Sequence, residues 1–482
     1  MRLFDTNVQE LKYKVIREVV RLASRGELEP HIHEIPKTIV PGPKPTMRCC
    51  IYHERAIVEE RVQMAMGGNP DNPNVVEVVD IACDECPVHR FSVTEACRGC
   101  IAHRCSSNCP RGAISFVNQK AVIDHTKCIE CGKCMRSCPY NAIIECQRPC
   151  VKSCRAGAIS VDEQKKARID NDKCTHCGSC VYACPFGAIV DKSYVLDVLR
   201  ILKESEGGEK YRVYAAIAPA IVSQFNYARI GQVVSGIKNI GFQDVVEVAL
   251  GADMVALKEA GELAEKGFLT SSCCPAFVRY LQINFPAMAD KVSSNVSPMV
   301  ELARLIKHTD PGARVIFIGP CIAKKGEILK PELKGEVDSV LTFEELQAMF
   351  DGLGIQVETL PDSELDNASY YGRIFARSGG VATSVAHVLE TDHPDFQLHA
   401  EVCSGLDQCK VALLKASKHI GNTNFIEGMG CEGGCMNGAA CLHHGPKNQS
   451  DIDNFGKQAM EKSIHDSVKV YEYAAGHPSQ KD

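Results

Sequence analysis

The chain has 482 residues, 54 of them Lys or Arg and 60 Asp or Glu, so its formal net charge is −6, and 45% of the residues are hydrophobic. This composition indicates a soluble, globular protein of several domains. No run of about 18 apolar residues occurs, and the first residues, MRLFDTNVQELKYK, are charged where a signal peptide needs an apolar stretch. We therefore expect a cytoplasmic protein with no membrane contact. Because disulfides seldom persist in the cytosol, the 27 cysteines predict metal binding and exclude a disulfide framework.

Residues 1–78 are predicted to form a helical extension followed by a Pro-rich linker. Apolar residues recur on one helical face from Val8 to Leu22, and Asn7 with Glu10 has the spacing of a capping box. No chemistry is specific to this region. We expect a docking or packing role for it.

Residues 79–192 repeat themselves and are predicted to form ferredoxin-type units. Four segments end in a cysteine, three residues and Ala-Ile: CPRGAI at 109, CPYNAI at 138, CRAGAI at 154 and CPFGAI at 184. Repetition with cysteines in register indicates duplicated ferredoxin halves of α+β, ferredoxin-like architecture.

The spacing of these cysteines predicts 4Fe-4S clusters. Bacterial ferredoxins use C-x2-C-x2-C-x3-C-P, in which three thiolates bind one cubane and the fourth binds its neighbour. Two repeats have this spacing and one is a variant with a longer gap: Cys128, Cys131, Cys134 and Cys138; Cys174, Cys177, Cys180 and Cys184; Cys97, Cys100, Cys105 and Cys109. Exchange of the fourth cysteines predicts three complete sets: Cys97, Cys100, Cys105 with Cys138; Cys128, Cys131, Cys134 with Cys109; Cys174, Cys177, Cys180 with Cys154.

The third repeat is degenerate. Cys146, Cys150 and Cys154 occupy its second, third and fourth places, but Ala142 lies near the first place and cannot bind iron. Pairing with the fourth repeat therefore predicts an incomplete set of Cys146, Cys150 and Cys184. Four cubanes need sixteen ligands, and fifteen cysteines lie between residues 97 and 184. Three explanations remain open. Cys83 or Cys86 supplies the missing ligand, the region holds only three clusters with leftover cysteines, or a residue such as His103 replaces a cysteine.

The charge of this region does not predict nucleic-acid binding. Residues 97–190 contain fourteen Lys or Arg against seven Asp or Glu, a surplus that often marks a nucleic-acid surface. Each cubane with four thiolates is anionic and would cancel part of this charge, and no aromatic residues interleave with the basic ones.

Residues 193–475 are predicted to form an α/β domain with parallel sheets, followed by a polar tail at 476–482. Strand-like runs such as 213–218 and 315–319 alternate with amphipathic stretches such as 254–266. Three loops carry cysteines: SSCCPAFV at 271–278, GPCIAKKGE at 319–327 and EGMGCEGGC at 427–435. Because ligands gather at the carboxyl ends of parallel strands, we expect these loops to converge.

These three loops resemble the signature motifs of the iron-only (FeFe) hydrogenases. The resemblance implies an H-cluster, which is a 4Fe-4S cubane joined to a diiron unit that carries CO, cyanide and a dithiolate amine. By motif, the cubane ligands are Cys274, Cys321, Cys431 and Cys435, with Cys435 bridging to the diiron unit. Further matches contact the diiron unit or line its site: Cys273, Lys324, Met429, Pro219, Ser297, Gly379 and Gly380.

The resemblance also implies a proton route and reaction partners. The route runs from Cys273 through Glu259, Ser293 and Glu262 to solvent. The implied reaction is reversible oxidation of H2, with electrons exchanged through the cubanes with ferredoxin or a similar soluble carrier, and the diiron unit would need maturation proteins. H2 sensing and a non-catalytic, assembly-type iron-sulfur function are the alternatives.

The chain departs from well-studied members of that family. Gly319 stands where a methionine is usual, Met299 replaces a glutamine, and Ala220 replaces a serine next to Pro219. Fewer hydrogen bonds to the cyanide and carbonyl ligands are therefore expected. Three other cysteines, Cys403, Cys409 and Cys441, are predicted to be buried thiols or redox-responsive groups.

Overall fold

The computed structural model describes residues 3–474, so the predicted polar tail at 476–482 lies outside the described residues. Within the described range, no helix is both long enough and apolar enough to cross a bilayer. The cluster region contains only two-stranded antiparallel sheets, and the C-terminal region contains two parallel sheets. The predicted alternation of strands and helices after residue 193 and its parallel pairing are confirmed, whereas the domain boundaries stay predictions.

The N-terminal extension is helical and packs on the C-terminal region. Its helices are α1 (Asn7–Ser24), α2 (Leu28–His31), α3 (Ile35–Ile39) and α4 (Ile51–Ala65). The capping box of α1 is formed by Thr6 and Gln9, one residue earlier than predicted: Gln9 N donates to Thr6 Oγ1 at 3.2 Å, and Thr6 N donates to Gln9 Oε1 at 3.2 Å. The buried face of α1 contacts the helix Phe343–Gly352, which gives this segment the packing role expected for it.

The cluster region consists of two ferredoxin-like units, one inserted into the other. Its elements are β1 (Val76–Val78), β2 (Phe91–Val93), α5 (Arg104–Ser107), β3 (Ile114–Val117), β4 (Lys120–Ile123), α6 (Lys133–Ser137), β5 (Ile143–Glu145), α7 (Pro149–Ser153), β6 (Ile159–Val161), β7 (Ala167–Ile169), α8 (Ser179–Ala183) and β8 (Ile189–Asp191). Strand β2 pairs with β5 and encloses the hairpin β3–β4. Strand β1 pairs with β8, and the hairpin β6–β7 lies between them in sequence.

We call residues 91–145 the inner unit, and residues 76–86 together with 149–191 the outer unit. Each unit begins and ends with strands that pair with each other, and each has one hairpin and two short helices between them. The inner unit therefore interrupts the outer unit between β1 and α7. This arrangement differs from the tandem order that the sequence repeats predict.

The C-terminal region has two parallel sheets with helices between their strands. Its elements are α9 (Val195–Glu204), β9 (Val213–Ile217), α10 (Ile230–Ile240), β10 (Asp244–Glu247), α11 (Val248–Lys266), β11 (Leu269–Thr270), α12 (Pro275–Asn284), α13 (Pro298–Thr309), β12 (Arg314–Gly319), α14 (Ile322–Glu327), β13 (Ser339–Thr342), α15 (Phe343–Gly352), α16 (Tyr370–Ile374), α17 (Gly380–Asp392), β14 (Ala400–Ser404), α18 (Leu406–Ser417), β15 (Phe425–Met429), α19 (Lys447–Lys457) and α20 (Ile464–Ala474). One sheet has the order β10-β9-β12-β13 and the other β11-β15-β14. All their pairings are parallel.

A buried ion network joins the three regions. Lys325 of α14 donates to Asp191 of β8 at 2.9 Å and to Glu345 of α15 at 2.8 Å. Lys12 of α1 also pairs with Asp191, and with Glu344 at 2.6 Å. Burial opposes ionisation, but the two ammonium groups hold the pKa of Asp191 below its usual value. Charges taken out of water are tolerated only when they are paired, so the network fixes how the regions sit together.

Replacing Lys325 with methionine is expected to destabilise the protein by about 3–5 kcal/mol, because it leaves two buried carboxylates without one of their cations. The Lys325 side chain is fully buried. The measurement is the first transition in calorimetry of the cluster-loaded protein, compared with wild type at one scan rate. Exposed Lys334 provides the control, since Lys334→Met is expected to change stability by no more than about 0.5 kcal/mol. Equal stability of the two variants would contradict the role of the network.

Candidate metal centre

The three cysteine loops follow the carboxyl ends of parallel strands from both sheets. Residues 271–274 follow β11, residues 320–321 follow β12, and residues 430–435 follow β15. The thiols of Cys274, Cys321, Cys431 and Cys435 are close enough that charge on one raises the pKa of the others. The structure thus brings together the four cysteines that the loop motifs pair. They lie between the two sheets.

Two of these thiols occupy helix N-termini, where the helix dipole favours an anion. Cys274 is the N-cap of α12 and Cys321 the N-cap of α14. Gly430 N donates to Cys274 Sγ at 3.4 Å. Burial raises the pKa of Cys321 to about 12, and the Cys274 thiol adds to this rise, while Lys324 and backbone N–H groups oppose it. Four thiols this close to one another ionise readily only when a cationic group compensates them, which fits an iron cluster.

Among the described residues, no three His, Cys, Asp or Glu side chains close on a single metal ion. A cubane does not need such closure, because its cysteines bind different irons of one cluster. The donor set is therefore suited to a cluster rather than to one ion.

A cavity of about 80 Å³ adjoins these thiols. It is lined by Cys273, Cys274, Cys321 and Cys435 and otherwise mainly by apolar residues: Pro219, Val248, Pro298, Met299, Phe317, Phe375 and Met429. Lys324 is the cationic residue in its wall. The Lys324 ammonium donates to Glu327 Oε2 at 2.7 Å and lies 3.5 Å from the carbonyl oxygen of Cys273. A small, largely apolar space with one cation suits a compact group that carries anionic ligands.

The other residues matched by motif lie near the cavity in different ways. Ser297 is the N-cap of α13, directly before the cavity residue Pro298, and its buried Oγ has no hydrogen-bond partner among residues 3–474. An unpartnered buried hydroxyl is consistent with a missing acceptor at this position. Gly379 and Gly380 begin α17, whereas Phe375 and Ala376 of the same loop line the cavity.

The substitution at Gly319 has a steric reason. A Cβ atom built on Gly319 would lie 2.5 Å from the Phe317 ring, so the ring fills the space that a larger residue would need. Met299 is fully buried and also lines the cavity. Met299 thus presents an apolar side chain to the cavity, and the predicted loss of hydrogen bonds to the cofactor stays a prediction. Ala220 is fully buried next to Pro219.

Side chains of the predicted proton route lie near one another between Cys273 and the surface. Ser293 Oγ donates to Glu262 Oε2 at 2.8 Å and lies close enough to Glu259 to interact with its carboxyl group. Glu259 is fully buried, and among the described residues its Oε2 has no hydrogen-bond partner. Cys273 is close enough to Glu259 that the carboxylate raises the pKa of the thiol, although burial is the larger cause.

The two carboxyl groups of this route have different acidities. Burial raises the pKa of Glu259 to about 7, even though hydrogen bonds from Ser272 and the nearby Ser293 hydroxyl oppose the rise. Burial works in the same direction on Glu262, but hydrogen bonds from Lys266 and the Ser294 backbone hold its pKa below the usual value. Glu259 is therefore suited to accept and donate a proton near neutral pH, and Glu262 to remain ionised at the mouth.

Sequence reasoning missed three polar residues near the cavity. Ser272 donates its N–H and its hydroxyl to Glu259 Oε1, at 2.9 and 3.0 Å. Glu427 is fully buried, accepts from Gly379 N at 2.7 Å and thereby holds the start of α17. Glu327 pairs with Lys324. All three residues lie within the cysteine loops at 271–278, 319–327 and 427–435, so their position in these motifs was the available signal.

In the inner unit, the structure brings together the cysteines of both ligand sets that their spacing in the sequence predicts. A small cavity is lined by Cys109, Cys128, Cys131 and Cys134. The second set also meets: burial raises the pKa of Cys105, and the neighbouring Cys138 and Cys100 thiols add to the rise. The third member of this set, Cys97, accepts a hydrogen bond at its Sγ from Ala121 N of β4, at 3.4 Å.

In the outer unit, the complete predicted set comes together, whereas Cys146 of the predicted incomplete set lies apart from Cys150 and Cys184. A cavity is lined by Cys154, Cys174, Cys177 and Cys180. Cys150 and Cys184 lie beside both Cys83 and Cys86. Cys146 follows β5, and its N–H donates to Arg90 O at 2.6 Å, so it extends the β2–β5 pair of the inner unit. His103 stacks on Phe116.

The outer unit contacts the loops of the four-cysteine site directly. A Cβ atom on Gly178, which follows Cys177, would lie 2.5 Å from Ile322 and 2.8 Å from Ala439. Arg279 of α12 donates to the carbonyl oxygen of Cys174 at 2.6 Å. The Cys177 thiol is close enough to Cys431 to raise its pKa, after burial and the nearer thiols. The ferredoxin-type site around Cys174 and Cys177 therefore lies immediately beside the cavity.

The three remaining cysteines of the C-terminal region, Cys403, Cys409 and Cys441, do not line the cavity. Cys403 and Cys409 are buried and lie close enough to interact with each other. Cys409 Sγ donates to Met429 O at 3.5 Å. Cys441 is also buried, and its Sγ donates to Met436 O at 3.3 Å. The predicted burial of these thiols is confirmed.

Comparison with known proteins agrees with this geometry. The domain described as "Iron only hydrogenase large subunit, C-terminal domain" matches residues 211–439. The 4Fe-4S binding domain matches residues 121–144 and 167–190. The chain is 30% identical over 374 residues to the periplasmic [Fe] hydrogenase large subunit of Nitratidesulfovibrio vulgaris, which is 66% of this chain and 85% of that protein. The chain belongs to the iron-only hydrogenase family.

Other relatives of this hydrogenase-family protein differ in function. It is 27% identical over 443 residues to iron hydrogenase 1 of Clostridium pasteurianum, 77% of this chain and 76% of that protein. It is also 23% identical over 294 residues to the cytosolic Fe-S cluster assembly factor NAR1 of Eremothecium gossypii, 47% of this chain and 65% of that protein. A solved [FeFe]-hydrogenase structure shares the fold, with a TM-score of 0.50 and 18% identity over 60% of this chain and 96% of that chain.

Proposed function

We propose that the protein catalyses the reversible oxidation of H2 at an H-cluster, with Cys274, Cys321, Cys431 and Cys435 as the cubane ligands. The observation that carries the proposal is the largely apolar cavity next to these thiols. Its wall contains Cys273, Lys324 and Met429, the three residues that the motifs match to contacts of the diiron unit. A cubane site alone would not need such a space.

The chemistry of the bound diiron unit would be an open iron site at which H2 is split or formed, with an adjacent amine base. The chain supplies the surroundings. Cys435 would hold the cofactor, the Lys324 ammonium would bind an anionic ligand of it, and Phe375 and Met299 would exclude water from the cavity. Lys324 is buried, so its charge interacts strongly with an anion in the cavity.

The proton leaves the cavity through side chains of this chain. The Cys273 thiol passes it to Glu259, and Ser293 relays it to Glu262, whose pKa is held low by its surface partners. Each of these groups accepts and donates a proton through one heteroatom or carboxyl group. The exit lies beside Lys266 and Asn295, which both donate to the Glu262 carboxylate.

Electrons pass between the cavity and a soluble carrier through the ferredoxin-like units. Support for entry at the inner unit comes from exposed groups beside its thiols: Cys131 is exposed, Ile101 is 99% exposed and Ile129 is 54% exposed. Apolar residues surrounded by Lys and Arg fit a small acidic protein such as ferredoxin. The accessory thiols hold 4Fe-4S clusters in this proposal, and maturation proteins supply the diiron unit.

The similarity to assembly factor NAR1 favours a second candidate function, a non-catalytic iron-sulfur protein. Infrared spectroscopy separates the two. After production together with maturation proteins, the hydrogenase is expected to have bands of iron-bound CO and cyanide, and to evolve H2 from a chemically reduced soluble carrier. Absence of the bands from fully cubane-loaded protein would favour the assembly-type function. Bands without turnover would favour a sensor.

A further inference from the structure

We propose that Cys83, Cys86, Cys150 and Cys184 bind a further 4Fe-4S cluster, and that Cys146 is not a ligand. This site lies at the point where the inner unit interrupts the outer unit. It goes beyond the proposed activity at the cavity and does not depend on it.

The first argument is the equivalence of the two units. In the inner unit, β2 is followed by Cys97-x2-Cys100, then by Cys105 and Cys109 around α5. In the outer unit, β1 is followed by Cys83-x2-Cys86, and Cys150 and Cys154 take the corresponding places around α7 after the insertion. The outer unit thus contains a complete set of ligand positions, with the inner unit inserted inside its first half.

Hydrogen bonds support this equivalence atom by atom. Ala121 N of β4 donates to Cys97 Sγ at 3.4 Å, and Ala167 N of β7 donates to Cys83 Sγ at 3.4 Å. The fourth cysteines behave alike as well: Cys109, Cys154 and Cys184 accept from the backbone N–H four residues later, at 3.2, 3.2 and 3.3 Å. Cys83 therefore has the environment of a first ligand.

The thiols meet in the corresponding pairs. Cys105 of the inner unit faces Cys138 and Cys100. Its counterpart Cys150 lies close to Cys184, Cys86 and Cys83. Cys83, Cys150 and Cys184 are buried in one cluster. Neutral thiols gain nothing from such an arrangement, whereas a cluster requires it.

Two buried arginines provide an independent argument. Arg61 is 4% exposed and Arg148 is 6% exposed. Within residues 3–474, Arg61 donates only to the carbonyl oxygens of Phe186 and Gly187, and its Nε has no partner. Arg148 Nη1 lies 4.0 Å from Cys83 Sγ. Neither guanidinium forms an ion pair with a carboxylate in that part of the chain, so an anionic cluster would supply the charge that burial demands.

The site also has a place in electron transfer. The inner unit joins the outer unit in sequence through residues 87–90 and 146–148, which directly adjoin Cys86 and Cys150. The second cluster of the outer unit, at Cys154, Cys174, Cys177 and Cys180, lies beside Cys431. A cluster at Cys83 and Cys150 would therefore connect the inner unit to the cluster nearest the cavity.

The test measures iron, sulfide and the electron paramagnetic resonance signal of the reduced full-length protein, loaded with cubanes anaerobically. Cys86→Ala and Cys83→Ala are each expected to lose one cubane per chain. Cys146→Ala, a matched cysteine control, is expected to lose none. Loss in Cys146→Ala with retention in Cys86→Ala would overturn the proposal, as would retention in all three.

A charge variant provides a test if the cysteine variants fold poorly. Arg61→Gln removes a cation beside Cys184 and should make one cluster harder to reduce, lowering one reduction potential in a redox titration of the intact protein while the others stay unchanged. An unchanged set of potentials in a folded, fully loaded Arg61→Gln protein would overturn the site.

Discussion

Cys273→Ala is expected to lower H2 turnover by about 10²–10⁴-fold while leaving the clusters bound, because a positioned acid–base group contributes about this much to a proton-transfer step. The cavity that it lines is otherwise mostly apolar, and beyond Cys273 the next groups in the proton route are buried. Methyl replacement therefore interrupts proton movement without removing a cubane ligand. Turnover is measured with a reduced carrier in excess, and infrared bands of CO and cyanide report the cofactor.

Cys409→Ala is the matched control for this variant. Cys409 is also a buried thiol close to Cys274, but its Sγ donates to Met429 O and it does not line the cavity wall. We expect its turnover to stay within a few-fold of wild type. If Cys273→Ala retains full turnover with normal infrared bands, or if both variants lose it equally, Cys273 has no proton-transfer role.

Glu259→Gln is expected to cause a loss of similar size, about 10²-fold or more, and to change the pH profile. Since the pKa of Glu259 is raised to about 7, its carboxyl group changes charge in the range where the enzyme would work. Glutamine keeps the shape but cannot release a proton. In wild type, proton delivery into the cavity should decline above about pH 7, and in the variant this decline should be absent from the residual activity.

Stability offers a readout of Glu259 that does not depend on turnover. The folded-state pKa of about 7 lies above the usual value of 4.5. The protonated carboxyl is therefore favoured by the fold, and its contribution is complete below about pH 4.5 and lost as pH rises through 7. Compared with wild type, Glu259→Gln should become relatively more stable between pH 5 and pH 8. A constant stability difference over this range would contradict the raised pKa.

The Glu262→Gln variant tests the outermost group of the proton route separately from the buried groups. Glu262 has partners at the surface in Lys266, Asn295 and Ser294, and its pKa is low, so water could replace part of its role. We expect a smaller loss than for Glu259→Gln, with the cofactor bands unchanged. Unaltered turnover in Glu262→Gln would show that protons leave the cavity by another path.

The sequence by itself determined the parts of the protein that depend on local spacing. Three cysteines within one short turn can face one cubane wherever the turn lies, so the sets around Cys128 and Cys174 were predictable. The same holds for the loops after β11, β12 and β15, because a strand followed by a helix N-terminus is a local pattern. The family resemblance added the roles of Cys273 and Lys324, which spacing does not reveal.

Tertiary structure alone decided how distant segments combine. The pairing of β1 with β8 encloses the whole inner unit, and no local pattern reports a strand pair so far apart in sequence. For that reason the sequence left three explanations open for the ligand missing from the third repeat, and only the fold places both Cys83 and Cys86 beside Cys150 and Cys184. The cavity beside Cys435, the anchoring of α1 through Lys12 and the burial that raises the pKa of Glu259 likewise arise only when both sheets and the N-terminal helices pack together, because they depend on the exclusion of water by residues that are remote in the chain.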